Sequence, residues 1–135
     1  MKTLRVKDVD RCIGCYSCML ACARHVFRSH SIVKTAILVR TRGGLQSKWG
    51  IEICRGCTEP ACAQACPTGA LTPRPGGGVI FKKAKCSRCA ACVDACIARV
   101  IRLDDESYPI ICIQCGSCAR FCPQEVLAME EQKNV

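Results

Sequence analysis

Sixteen cysteines, in four runs, are the residues of this 135-residue chain with chemistry to offer. The runs are Cys12/Cys15/Cys18/Cys22, Cys54/Cys57/Cys62/Cys66, Cys86/Cys89/Cys92/Cys96 and Cys112/Cys115/Cys118/Cys122, and no cysteine is left over. Three of them read C-x2-C-x2-C-x3-C, the spacing at which thiolates hold a [4Fe–4S] cluster; the Cys54 run has four residues before its third cysteine. Iron atoms sit on several corners of such a cube, so the first three thiolates must wrap it in a tight loop. The fourth lies on the helix that the loop opens into and is carried toward a neighbouring cube, so paired runs exchange their last cysteine.

Other uses of cysteine fit less well. Structural zinc takes two C-x2-C pairs separated by a longer connection and has no use for a regular third and fourth cysteine in every run. Disulfides between neighbouring C-x2-C thiols on turns and helices would be strained and easily reduced. His25 and His30 are the only histidines, and with no ligand position vacant they are expected at the surface or at a helix end. The chain has no G-x-G-x-x-G fingerprint and no P-loop, so no nucleotide site is expected.

The elements that must position these thiols are short. Leu4, Val6 and Val9 alternate with basic residues over 1–11, a strand pattern leading into the first run. Met19 to Phe27 has the small and apolar residues of a helix, and no proline follows Cys22 to stop it. In the stretch 23–53, Val33, Thr35, Ile37 and Val39 alternate with Lys34 and Arg40, Gly43-Gly44 supplies a turn, and Trp49, Ile51 and Ile53 alternate again. This predicts a β-hairpin insertion packed on one cluster, with Trp49 in a packing role. Cys66-Pro67-Thr68-Gly69-Ala70 closes a helix, Pro73 to Gly78 form a loop, and Val79-Ile80-Phe81 a strand into Cys86. A connection of that length and character is what a two-cluster ferredoxin places between its runs, which joins the second run to the third and leaves the first to pair with the fourth. Asp104 to Ser107 form a polar turn, and the tail from Gln124 to Val135 is expected to fray at its end.

Composition narrows the class. Half the residues are hydrophobic but only 4% are aromatic, so the organic core is thin and bound metal must supply much of the folding free energy. The formal charge of +9 counts the cysteines as neutral; four oxidised clusters of about −2 each would bring the loaded protein close to neutrality. The basic residues are scattered and the aromatics are not spaced as a base-stacking platform, which argues against a nucleic-acid partner. The first residues, Met1 to Asp8, show no apolar signal region and no twin arginine, and no stretch approaches membrane-spanning length. A cytoplasmic protein without direct membrane insertion is expected.

From Cys12 to about Pro123 the chain resembles the four-cluster ferredoxin-like electron-transfer subunits that accompany molybdenum or tungsten pterin enzymes. These are iron–sulfur subunits of the dimethyl sulfoxide reductase and formate dehydrogenase type, and the small subunits of some aldehyde ferredoxin oxidoreductases. The most specific match is the second run, with Pro60 and Pro67-Thr68-Gly69-Ala70. Gly56, where many relatives have His, and Ile97, where proline is common, depart from the pattern without removing a ligand.

The resemblance implies an α+β fold of two fused bacterial-ferredoxin-like 2[4Fe–4S] modules with the β-hairpin insertion. Residues 1–22 and 112–135 would form the outer module, 23–53 the insertion and 54–111 the inner module. It implies four nested ligand sets: Cys12, Cys15, Cys18 with Cys122; Cys112, Cys115, Cys118 with Cys22; Cys54, Cys57, Cys62 with Cys96; and Cys86, Cys89, Cys92 with Cys66. With every thiolate committed, the implied role is a wire for single electrons and not a catalyst. It would run between a larger molybdenum- or tungsten-pterin catalytic subunit, an aldehyde oxidoreductase among the candidates, and a flavin or ferredoxin redox partner in anaerobic metabolism. A free polyferredoxin shuttling electrons between enzymes is the alternative, and a radical or dehydratase-type enzyme with one open iron a remote third. Backbone N–H groups at Gly14, Gly56, Ala90 and Gly116 are the expected donors to sulfur. Arg55, Lys82, Lys83, Lys85 and Arg88 are basic residues that could raise nearby potentials, dock an acidic partner, or simply be solvated.

Overall fold

The computed structural model describes residues 2–41, 43 and 48–131. In chain order, β1 (Lys2–Val6) leads through a short 3-10 turn at Val9–Arg11 to α1 (Ser17–Phe27), β2 (Leu38–Thr41) and β3 (Trp49–Glu52). Then come α2 (Ala61–Gln64), β4 (Leu71–Pro73), β5 (Val79–Phe81), a 3-10 turn at Lys83–Lys85 and α3 (Ala91–Ala95). The chain finishes with β6 (Arg102–Leu103), β7 (Pro109–Ile110), α4 (Ser117–Phe121) and β8 (Leu127–Glu131).

Among the described residues the strands form antiparallel pairs: β1 with β8, β2 with β3, β4 with β5 and β6 with β7. The first of these joins the two ends of the described chain, with Leu4 opposite Met129 and Val6 opposite Leu127. Residues 127–131 are therefore a strand and not part of a frayed tail; the alternation Leu127, Met129 is short and followed by two glutamates, which masks it in the sequence. Residues 132–135, where the fraying was expected, and Gly44 of the expected turn lie outside the described residues.

A second correction concerns residues 33–37, whose alternation predicted strand. Strand pairing begins at Leu38, because the preceding backbone is held otherwise. Arg102 donates to the carbonyls of Val33 and Thr35, the Thr35 hydroxyl donates to the Ile37 carbonyl, and the Ala36 N–H points at Cys22 Sγ. Groups bonded in this way cannot also enter a ladder. A third is Pro73, expected in the loop that runs to Gly78, which instead closes β4; it is admissible there because it ends a three-residue strand with a single neighbour.

Two small apolar groups hold the molecule. One gathers Leu4, Met19, Ile37, Val39, Ile110 and Leu127 from both ends of the chain, and the other Leu71, Val79, Ile101 and Ile111 from its middle. Both include buried cysteines, Cys22 and Cys118 in the first and Cys92 in the second. Among the described residues no helix is long and apolar enough to cross a membrane.

Candidate metal centres

Each run begins with a turn that ordinary backbone avoids. Gly14, Gly56, Arg88 and Gln114, two residues after the first cysteine, all have left-handed φ between +57° and +67°. Tyr16, Ala90 and Gly116, one residue after the second cysteine, are left-handed as well, and α1, α3 and α4 start at the next residue. Alternating hands of this kind turn successive N–H groups toward one concavity, a nest that suits an anionic guest. The second run lacks the second left-handed residue; its two extra residues lead to Pro60, which caps α2 at φ −73°.

The helices then divide the thiols. The third and fourth cysteines of a run are four residues apart, about 6 Å along a helix axis, so one helix serves two neighbouring cavities. Cys18 and Cys22 do this from α1, Cys118 and Cys122 from α4 and its end, and those two helices pack together. Cys62 with Cys66, and Cys92 with Cys96, do the same at α2 and α3.

Four cavities result. One is lined by Cys12, Cys15, Cys18 and Cys122. The next is lined by Cys22, Cys112, Cys115 and Cys118, with Cys54 at its edge. A third is lined by Cys54, Cys57, Cys62 and Cys96, with Cys112 at its edge. The last is lined by Cys66, Cys86, Cys89 and Cys92. The rest of their walls is mostly apolar, including Val39, Ile51 and Leu127 at the first and Ala36, Val79 and Ile111 at the third. In every cavity three cysteines come from one run and at least one from another.

The donor set fits a cube and not a single ion. Tetrahedral zinc holds sulfur at about 2.3 Å, hence sulfurs about 3.8 Å apart. Among the described residues no three His, Cys, Asp or Glu converge in that way. The histidines stand apart: His25 is exposed on α1, and exposed His30 Nε2 lies 3.0 Å from Arg24 Nη1.

Donors reach the sulfurs from residues mostly different from those expected. The N–H groups of Ala36, Arg88, Gln114 and Val126 lie 3.4 Å from the Sγ of Cys22, Cys86, Cys112 and Cys122. Of the residues expected, the Gly56 N–H favours the ionised form of Cys54. Hydroxyl partners were missed altogether: Ser117 Oγ accepts from the Cys115 thiol at 3.6 Å, Thr68 Oγ1 lies 3.7 Å from Cys66 Sγ, and Ser17 favours the ionised form of Cys15. The recurrence of C-x-S or C-x-T at these cysteines was the available signal.

The free thiols differ accordingly. Burial pushes Cys18 and Cys62 up to about 11 and Cys118 up to about 12, and raises Cys112 furthest. At Cys66 burial also raises the thiol, but the N–H of Leu71, the hydroxyl and N–H of Thr68 and the N–H of Ala70 outweigh it and bring it to about 7. Ser17 holds Cys15 down. Metal ligation requires thiolate, so loading the deeper cavities releases protons and gains strength as pH rises.

Trp49 is a packing residue. Its ring lies edge-on to Tyr16 at 6.2 Å and covers Gly14 so closely that a Cβ there would overlap the indole. Of the basic residues singled out, Lys83 pairs with Glu106 at 3.6 Å and stands 4.5 Å from the Tyr108 ring, which Arg88 also approaches. The Arg55 carbonyl accepts from Arg5.

Comparison with known proteins gives a consistent picture. The model of the 4Fe-4S dicluster domain matches residues 46–132, and that of a 4Fe-4S binding domain matches residues 9–24. The chain is 32% identical, over 89% of its length, to the beta component of the NADH-dependent phenylglyoxylate dehydrogenase of Aromatoleum evansii, covering 28% of that protein. It is 33% identical, over 67% of its length, to a tetrathionate reductase subunit of Archaeoglobus fulgidus, covering 44% of it. It is 31% identical, over 84% of its length, to the polyferredoxin-like subunit of an aliphatic sulfonate oxidoreductase from Pyrococcus furiosus, covering 67% of it. The chain thus spans less than half the length of the first two.

Proposed function

Since the chain belongs to the 4Fe-4S dicluster domain family and its sixteen cysteines provide for four [4Fe–4S] clusters, we propose that it is the electron-transfer subunit of a larger cytoplasmic oxidoreductase complex. When bound, each cluster takes up and gives back one electron at a time. The observation that carries the reading is the row of four cysteine-lined cavities, with every thiol of the chain used and none left to act on a substrate.

In this reading the ligand sets are Cys12, Cys15, Cys18 and Cys122; Cys112, Cys115, Cys118 and Cys22; Cys54, Cys57, Cys62 and Cys96; and Cys86, Cys89, Cys92 and Cys66. The first two sets belong to an outer module, 1–22 with 112–135, the last two to an inner module, 54–111, and 23–53 is an insertion between them that carries the end of α1 and the β2–β3 hairpin. The order of the row follows from shared rims. Cys18 and Cys22 link the first two cavities through α1, Cys54 and Cys112 each line both middle cavities, and α2 with α3 links the last two. Exposed Cys15 and Cys89 lie at opposite ends of that row, which gives it two openings to partners.

The partner proposed is a larger molybdenum- or tungsten-pterin catalytic subunit. The subunit and reductase names among the relatives support a subunit role, and the resemblance of the second run supports the metal. An aldehyde oxidoreductase is the proposed type, and a ferredoxin or flavin protein is proposed at the other end. Anaerobic purification under native conditions tests this: the chain is expected to bring down a larger pterin subunit with stoichiometric molybdenum or tungsten. A monodisperse small protein without either metal would favour the free carrier. The ligand exchange has its own test, since Cys22→Ser should alter the spectrum of the cluster held by the fourth run. Damage confined to the first-run cluster would refute the exchange.

A further inference from the structure

Where the two modules meet, one side chain reaches both. Gln114 is only 4% exposed although it lies in a metal-binding loop, and its φ of +57° is the left-handed conformation of the fourth run's first turn. Its backbone N–H points at Cys112 Sγ, 3.4 Å away. Its side-chain oxygen accepts from the Leu4 N–H of β1 at 2.8 Å, and its Nε2 donates to the Cys54 carbonyl at 3.4 Å. The space around it is full: a Cβ on Gly78 would meet Gln114 Cγ at 3.1 Å, and one on Gly56 would stand 3.5 Å from Nε2. Cys112 and Cys54 are the two cysteines that line both middle cavities. One amide residue therefore touches a thiol-bearing residue of each module at their point of closest approach.

Neither acceptor orientation nor charge leaves much freedom here. The Leu4 N–H can be satisfied only by the amide oxygen, which fixes the NH2 group on the side of Cys54. That NH2 donates to the Cys54 carbonyl, which places the positive end of the amide dipole beside a ligand residue of the Cys54 set. Positive partial charge held beside a cluster's ligands stabilises the more negative, reduced state of a bound cluster and so raises its potential; local charge is among the factors that set these potentials.

We propose that Gln114 is a positioning residue for the joint between the two cluster pairs, holding the Cys112 and Cys54 loops together through its backbone and side-chain amides and raising the potential at the Cys54 set. The inference rests on the relay reading above, yet the two fail separately. Fewer than four clusters titrating in the unaltered protein would count against the relay reading, whereas this inference is read from a variant that loads all four.

The experiment is an anaerobic redox titration followed by electron paramagnetic resonance on the loaded chain, comparing wild type with Gln114→Glu. The variant keeps the shape and an oxygen for Leu4 but removes the NH2 donor and adds negative charge. A Cys54→Ser protein identifies which transition belongs to the Cys54 set. The expected result is a downward shift of that transition in Gln114→Glu, with the transitions of the two terminal sets unmoved. If the buried carboxylate prevents loading, Gln114→Asn carries the test, because asparagine accepts left-handed φ readily and withdraws the same NH2 by one methylene. A downward shift of the same single transition is again expected. Four unchanged midpoints in whichever variant loads, or a shift only at a terminal set, would overturn the proposal and leave Gln114 as a structural pin.

Discussion

Glycine in these loops is demanded for two separable reasons, and Gly56 and Gly69 tell them apart. Both are left-handed, at φ +62° and +70°. A Cβ at Gly69 would meet nothing within 4 Å, whereas at Gly56 it would stand 2.7 Å from Thr3 Cγ2. Thr3 is fully buried on β1 and paired opposite Glu130, so it cannot step aside. Left-handed strain alone costs about 1–2 kcal/mol, which is the loss expected for Gly69→Ala. Gly56→Ala should lose clearly more, about 2–4 kcal/mol once overpacking is added. Anaerobic denaturant unfolding of the loaded proteins measures the difference, and equal losses would mean that the Thr3 contact is not what requires glycine. The same contact accounts for Gly56 standing where the resemblance would place His: here β1 fills that space. Arg88, Ala90 and Gln114 hold left-handed turns without being glycine, so the turn pattern was only half legible from glycines. What could be read was the cysteine spacing; what could not was the identity of the N–H donors, because that depends on which residue a strained turn rotates inward.

At the scale of elements, helix length was readable where a proline marks the stop and harder elsewhere. α4 ends at Phe121 before Cys122-Pro123, and α2 is over before Cys66-Pro67. α1, with no proline after Cys22, runs on to Phe27 as expected from its composition. The informative case is α3, which ends at Ala95 although Ile97 replaces the usual proline. Cys96 is already extended there, at φ −65° and ψ 115°, the conformation that a following proline requires. Ile97 itself is 76% exposed, and its N–H donates to no backbone or side-chain acceptor among the described residues. The chain therefore stops without proline because Cys96 must leave the helix to face the Cys54 cavity. Ile97→Pro should fit this geometry and raise stability by about 0.4–1 kcal/mol through the unfolded state. A measured loss above about 1 kcal/mol would show that the end of α3 depends on the Ile97 N–H or side chain. The weak elements were the ones misread: residues 33–37, whose backbone serves Cys22 and Arg102, and β8, which exists because β1 pairs with it across the whole length of the chain. Neither partner is local, and alternation within a window cannot reveal a bond made to a distant loop.

For the whole molecule, the consequence of replacing a conventional core with four thiol-lined cavities is that exposure is graded along the row. Cys15 and Cys89, at the two ends, are exposed, although Cys92 in the last cavity is buried; Cys22 and Cys118, in the second cavity, are buried, and none of the eight cysteines lining the two middle cavities is exposed. Oxidants act on accessible sulfur first, and the exposed thiols stand at the two terminal cavities. The middle cavities lie against both apolar groups, because Ile110 belongs to one and Ile111 to the other while Cys112 follows directly. Loaded protein exposed to air should therefore bleach in two phases, with the two terminal clusters lost quickly and the two middle ones persisting. The second phase should coincide with loss of secondary structure by circular dichroism, since the thin core depends on bound metal. A single exponential for all four clusters would mean that the fold opens as one unit and that the gradation along the row has no protective effect.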